Sequence, residues 1–191
     1  MKLILASASP RRRDLLCEAG IEIRVVPAHI DEQALPRELP AEHVRRLAGA
    51  KADHVAAQMP DCLVLGADTV VAHQNRIFGK PDSLDDAKTM LNTLSGSAHE
   101  VLTGVCLRRL NPECLQCWVC RTKVCFRELT PNVIDRYCSL VNPLDKAGAY
   151  AIQEHGEMLI SSIDGLMSNV IGLPVEEVLE RLKKIPHCPT A

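Results

Sequence analysis

The fold class predicted from the sequence is α/β, with a mixed sheet and α+β elements. Two observations predict it. Short apolar runs of strand length alternate with helical stretches along the 191 residues. In the middle, two long strand-like segments flank a turn at Asn111–Pro112, which inserts an antiparallel block into the interleaved order. No internal repeat, low-complexity tract or obvious linker interrupts the chain, so residues 1–191 are expected to form a single domain, any second lobe being integral to the first.

Each element has a local cause. "KLILAS" at the start is a short apolar strand. A helix follows from Pro10 to Ala19, with Ser9 as N-cap, Pro10 at the first helical position and Gly20 as the stop. "IEIRVVPA" is a second strand, and the polar segment 29–40, with two prolines, is a loop. A helix is predicted from Ala41 to about Gln58, then a long buried strand, "CLVLGADTVVAH". "QNR" turns the chain, and "IFGKPDS" leads into a helix near Ser83 with Asp85 and Asp86 in its first turn. "HEVLTGVCLRRL" and "CLQCWVCRTKVCFREL" are the antiparallel pair. A helix capped by Thr130, with Pro131 first, comes next. "GAYAIQ" and "EMLISSIDG" read as short strands, and "LPVEEVLERLKKI" closes the chain as an amphipathic helix.

Composition narrows the function. Apolar residues are 47% of the chain and aromatics 3%, so the core is aliphatic and platforms for stacking a nucleic-acid strand are scarce. The net charge of −2 gives no global field toward polyanions or anionic membranes, so anion binding must be local. The apolar core of the N-terminal segment, Leu3 to Ala6, is far shorter than the roughly 7–15 residues of a secretory signal. No apolar run of about 18 residues exists to span a membrane. A cytoplasmic protein is expected. Nine cysteines, an odd number that includes Cys188, several of them within apolar runs, suit small buried hydrophobes in a reducing compartment better than a disulfide framework. Cys114, Cys117, Cys120 and Cys125 imitate a metal-binding spacing, but their segment reads as strand and lacks the glycines of ligand loops. His99 has no convincing cysteine or serine partner, which argues against a nucleophilic triad.

Several residues break the local rules. Arg11, Arg12 and Arg13 crowd the first turn of a helix, where cations are disfavoured by roughly 0.3–1 kcal/mol each. The amides of such a helix start favour an anion. With Ser7 and Ser9 as further donors, the arginines form a candidate polyphosphate cradle. Lys51 lies four residues after Leu47 and three after Ala48, inside the apolar stripe of its helix. It must snorkel outward or meet a buried partner or a phosphate. Asp68 interrupts an apolar strand, so it must be hydrogen-bonded, metal-bound or lining a cleft. There it is a candidate to hold Mg²⁺ or to activate a water for attack on phosphorus. Gly66, two residues earlier, admits a close approach to the backbone. Lys80, between a glycine and a proline, is aimed from a loop. Gln153 offers the paired donor and acceptor that a nucleobase edge requires.

Taken together, "LASASPRRRDLL", "LGADTVV", "GKPDSLDDAKTMLNTLSG", "HEVLTGV", "LDKAGAYAIQ" and "NVIGLP" resemble the Maf family of nucleoside triphosphate pyrophosphatases, in the same order and over nearly the whole chain. The resemblance implies a fold like that of inosine triphosphate pyrophosphatases, with a cleft between two lobes. It implies cleavage between the α- and β-phosphates with a divalent metal, Mg²⁺ or Mn²⁺. On that basis Asp68 matches the proton acceptor. Ser9, Arg12, Lys51 and Lys80 match polar positions around the triphosphate, and Glu32 matches an acidic position that helps hold metal together with Asp68. Arg12, Thr69 and Gln153 match the branch acting on dTTP and UTP. Many relatives of this family are homodimers. Leu166 and Met167 stand where many relatives carry a tyrosine. A different class, a nucleotide-binding regulator of septum formation with little catalysis, is the alternative reading.

Overall fold

The computed structural model describes residues 2–186; Cys188 lies outside the described residues. The described residues form a seven-stranded sheet and six α-helices. The strands are β1 (Leu3–Leu5), β2 (Ile23–Val25), β3 (Val64–His73), β4 (Arg76–Phe78), β5 (Ala98–Arg109), β6 (Cys114–Phe126) and β7 (Ile160–Asp164). Their order is β2-β1-β3-β5-β6-β7, with β4 paired to β3. β1 runs parallel to β2 and β3, while β4 is antiparallel to β3 and β7 to β6. The helices are α1 (Pro10–Glu18), α2 (Pro40–Ala56), α3 (Leu84–Leu94), α4 (Pro131–Leu140), α5 (Met167–Ile171) and α6 (Val175–Leu182). Helices alternating with parallel strands, joined to an antiparallel block, are the mixed α/β class expected from the sequence. No helix among the described residues is long and apolar enough to cross a membrane.

The chain divides into two compact units. The first comprises the chain up to Asp68, Thr103–Cys120 and the chain from Gly172. Its core includes Ile4, Ala48, Ala52, Val55, Val64 and Cys106, all at most 2% exposed. Two glycines set the depth of α2 against the strands. A Cβ on Gly66 of β3 would collide with the Ala48 carbonyl and the Ala52 amide, and one on Gly104 of β5 with the Val44 carbonyl. The close approach anticipated at Gly66 is therefore the backbone of α2.

The second unit comprises Thr69–Leu102 and Arg121–Ile171. Its core gathers Phe78, Leu91, Leu94, Val101, Val124, Phe126, Tyr137 and Tyr150. Ser83 caps α3, accepting from the Asp86 amide at 3.1 Å. Pro131 opens α4 as expected, although the Thr130 side chain makes no capping bond.

Four expectations need correction. β4 forms where only a lead-in to a helix was expected; Gln74 and Asn75 take positive φ (51° and 60°) and fold Arg76–Phe78 back onto β3. "GAYAIQ" is not a strand. Gly148 and Ala149 have φ of 67° and 64°, and the segment is 3-10 turns, with the Gly148 amide donating to the Gly79 carbonyl at 2.9 Å. A Cβ at Gly148 would press on Val71, so the turn needs glycine there for two reasons. The helix Met167–Ile171 was not anticipated. Finally, Cys106 and Cys117 form a disulfide; β5 and β6 are neighbours, and the two Cα atoms stand 4.2 Å apart. The expectation of unpaired cysteines fails for this pair. Cys114, Cys120 and Cys125 lie on β6 outside that disulfide, as the strand reading requires.

Candidate active site

The helix start that carries three arginines is built as its sequence dictates. Ser9 takes extended geometry, and its hydroxyl accepts from the Arg12 amide. The arginines then part company. Arg13 lies on the surface and pairs with Asp14 at 2.8 Å, the solvated neighbour that the sequence suggested. Arg12 turns inward and is only 9% exposed. Its Nη1 donates to Ser7 Oγ at 3.0 Å and to the Ala67 carbonyl at 2.9 Å. Its Nε donates to the Gly172 carbonyl at 2.9 Å. Burial lowers its pKa, and Asp68 and Glu32 oppose that shift. Arg11 is half-buried beside it.

Asp68 follows Ala67 on β3 and is 7% exposed. It lies two residues beyond Gly66, on the same face of the strand, because side chains alternate along a strand. Gly66 is where α2 descends onto β3, so Asp68 meets α2 one turn along. The residue it meets is Lys51. Lys51 Nζ donates to Asp68 Oδ1 at 2.7 Å and also pairs with Glu32 Oε1 at 2.8 Å. The lysine in the apolar stripe thus has a buried partner, Asp68, and a more exposed one, Glu32. Its side chain is 7% exposed, that of Asp68 10% and that of Glu32 57%. Two carboxylates therefore converge on one ammonium, beside a buried guanidinium.

The loop that delivers Glu32 has its own anchor, which sequence reasoning missed. Glu38 accepts from Arg46 through both oxygens, at 2.6 and 2.8 Å, and from His43 Nδ1 at 2.9 Å and the Leu35 amide at 3.0 Å. Arg46 also donates to the Gln33 carbonyl at 3.0 Å, one residue from Glu32. The bonds from Arg46, first of all, hold Glu38 at a pKa of about 2. A signal was present: His43 sits four residues before Leu47, a polar group on the same stripe as Lys51.

Thr69, Lys80 and Gln153 belong to the second unit. Thr69 is half-buried directly after Asp68, while Lys80 and Gln153 are exposed. Beside Gln153, Glu154 pairs with the buried Lys146 at 3.2 Å, and Lys146 also holds Asp145 and the Asn142 carbonyl, each at 2.8 Å. One ammonium thereby ties together the turn that carries Gln153. His99 is buried too, but its ring partner is the Tyr150 hydroxyl at 2.8 Å.

Asp68 and Glu32 are the acidic groups able to hold a cation here. Among the described residues, no three His, Cys, Asp or Glu gather as a metal cage. Two carboxylates suit an ion such as Mg²⁺, which takes one or two protein oxygens and completes its shell with water and phosphate. The site offers fixed donors, a buried carboxylate and clustered cations, which is the equipment for holding a phosphate chain and accepting a proton near it.

Comparison with known proteins places the chain in a family. A protein of Syntrophus aciditrophicus named dTTP/UTP pyrophosphatase is 47% identical over 182 residues, spanning 95% of this chain and 89% of its own. One from Moorella thermoacetica with the same name is 49% identical over 183 residues, spanning 95% and 93%. Among solved structures, the Staphylococcus aureus Ham1 protein shares the fold, with a TM-score of 0.55 at 11% identity over 96% of this chain and 99% of that one. A family model described as Maf-like protein matches residues 2–185, and with relatives of this identity and coverage the chain belongs to the Maf family.

Proposed function

We propose that the protein is a nucleoside triphosphate pyrophosphatase that hydrolyses dTTP and UTP to the monophosphate and pyrophosphate. The observation that carries this is the Asp68–Lys51–Glu32 cluster beside Arg12. It supplies a carboxylate base and a group of cations for a tetra-anionic chain in one place. The name carried by relatives 47% and 49% identical supports the substrate class.

In this reading the Asp68 carboxylate takes a proton from a water as the water oxygen bonds to the α-phosphorus. The bond from that phosphorus to the α,β-bridging oxygen breaks, and pyrophosphate leaves. Lys51 holds Asp68 in place through its 2.7 Å hydrogen bond and contributes positive charge beside the phosphates. Arg11, Ser7 and Ser9 line the helix start that receives the chain. Arg12 fixes the backbone at Ala67, next to Asp68, and at Gly172. Thr69 and Gln153 read the pyrimidine, and Lys80 adds charge, as the family resemblance implies. Asp68 and Glu32 hold a divalent cation, which when bound supplies charge neutralisation for the phosphate oxygens.

The test is a panel of nucleoside triphosphates with Mg²⁺ or Mn²⁺, scored for pyrophosphate release. Release from dTTP and UTP well above purine nucleotides is expected. Asp68→Asn should keep its melting temperature within a few degrees and lose about 10²-fold or more in kcat, the usual yield of a positioned base. Binding of nucleotides without release from any of them would overturn the enzyme in favour of a nucleotide-binding regulator.

A further inference from the structure

We propose that the Lys51 ammonium is a resident counter-cation that closes the Asp68–Glu32 pair to a divalent metal, so that the metal is admitted only together with the nucleotide. The proposal rests on the pyrophosphatase reading and specifies how its site is loaded.

Three observations carry it. Lys51 Nζ already lies 2.7 Å from Asp68 Oδ1 and 2.8 Å from Glu32 Oε1, so the two oxygens best placed to share a metal share an ammonium. Lys51 and Asp68 are both about nine-tenths buried, so their attraction is screened far less than that of a surface pair. Arg12 is a second buried cation, and the charges of both Asp68 and Glu32 act on it. Two carboxylates and two cations sum to no net formal charge. A bare divalent ion entering there meets repulsion from the cations comparable to its attraction to the carboxylates. Among the described residues no third acidic, histidine or cysteine ligand gathers to tip that balance. A triphosphate reverses the sign. It brings negative charge that answers Lys51 and Arg12, and it brings oxygen ligands for the metal. Metal and nucleotide therefore bind with strong positive coupling, which must be reciprocal.

The test is a titration of the purified protein with Mn²⁺, followed by loss of the free-ion paramagnetic resonance signal. It is run with no nucleotide and with a non-hydrolysable dUTP analogue bridged by an imido group between the α- and β-phosphates. Without nucleotide, wild type is expected to show no saturable binding up to about 1 mM, and with the analogue stoichiometric binding. Lys51→Met removes the counter-cation and should bind Mn²⁺ without nucleotide at least about tenfold more tightly than wild type. Lys51→Arg keeps the charge and should stay as weak as wild type. Tight binding by wild type without nucleotide, or no gain in Lys51→Met, overturns the proposal. If Lys51→Met does not fold, the two wild-type titrations decide alone. Failure of the pyrophosphatase reading has a separate signature, the absence of pyrophosphate release from dTTP and UTP, which a metal titration without nucleotide does not register.

Discussion

Arg12 shows how one side chain can settle a helix start that looks badly designed. Three cations in the first turn oppose the helix dipole. Arg13 relieves this in water against Asp14, whereas Arg12 is withdrawn and spends its fork on Ser7 Oγ and on the carbonyls of Ala67 and Gly172. The Ala67 carbonyl is the peptide group immediately before Asp68, so Arg12 holds the strand just where the carboxylate must be aimed. A lysine would keep the charge but not the planar fork. Arg12→Lys is therefore expected to leave at least one buried carbonyl unpaired, at about 1–3 kcal/mol of stability. Turnover of dTTP should fall in kcat more than KM rises, because the loss is in the alignment of Asp68. Melting curves and steady-state kinetics check this. A variant that melts and turns over like wild type would show that Arg12 positions nothing, and a change confined to KM would return it to nucleotide binding alone.

At the scale of elements, the site is the product of one helix lying close on one strand. Gly66 and Asp68 share a face of β3; the first admits α2 and the second reaches Lys51 upon it. Gly66→Ala places a methyl group against the Ala48 carbonyl and the Ala52 amide, backbone atoms that cannot turn aside. It should destabilise by roughly 1–3 kcal/mol and separate Lys51 from Asp68, lowering melting temperature and activity together. Full activity in a Gly66→Ala protein of wild-type stability would refute the account of α2. This part of the site was legible in sequence because periodicity carries it: the stripe of α2, the alternation of β3 and the Ser9–Pro10 start are all local patterns. What was not legible depends on distant partners. Arg12 turns inward because its acceptors lie 55 and 160 residues away. "GAYAIQ" has strand composition, yet Gly79 and Val71, far earlier in the chain, hold it as left-handed turns. The Glu38–Arg46 clamp joins a loop to a helix, and charged residues in both read as ordinary solvated surface until the loop is placed.

For the whole molecule, two groups with displaced pKa values, one in each unit, contribute to stability toward acid. In the second unit, burial first and then repulsion from His73 hold His99 at a pKa of about 4, against an ordinary 6.5. The unfolded chain takes up the proton before the folded one does. The stability that His99 contributes is therefore complete above about pH 6.5 and is lost as pH falls from there toward about 4. In the first unit Glu38 keeps its charge to about pH 2, against an ordinary 4.5, so the stability it contributes is present above about 4.5 and is lost toward about 2. The two losses follow one another on acidification, and His99 governs the first. Its proton-linked contribution is on the order of 3 kcal/mol. His99→Gln isolates it, because glutamine can still bond the Tyr150 hydroxyl but does not titrate. The variant forfeits edge-on ring contacts with Phe126 and Tyr150, at 4.8 and 5.5 Å between centroids, and should be less stable than wild type at pH 7 by about 1 kcal/mol. Between pH 6.5 and 4.5, however, wild type should lose stability while the variant holds nearly level, so the two curves of unfolding free energy against pH approach and cross. Urea denaturation at half-unit steps across that range measures both curves. Parallel curves would mean that His99 is not the group that unfolds the second unit in mild acid.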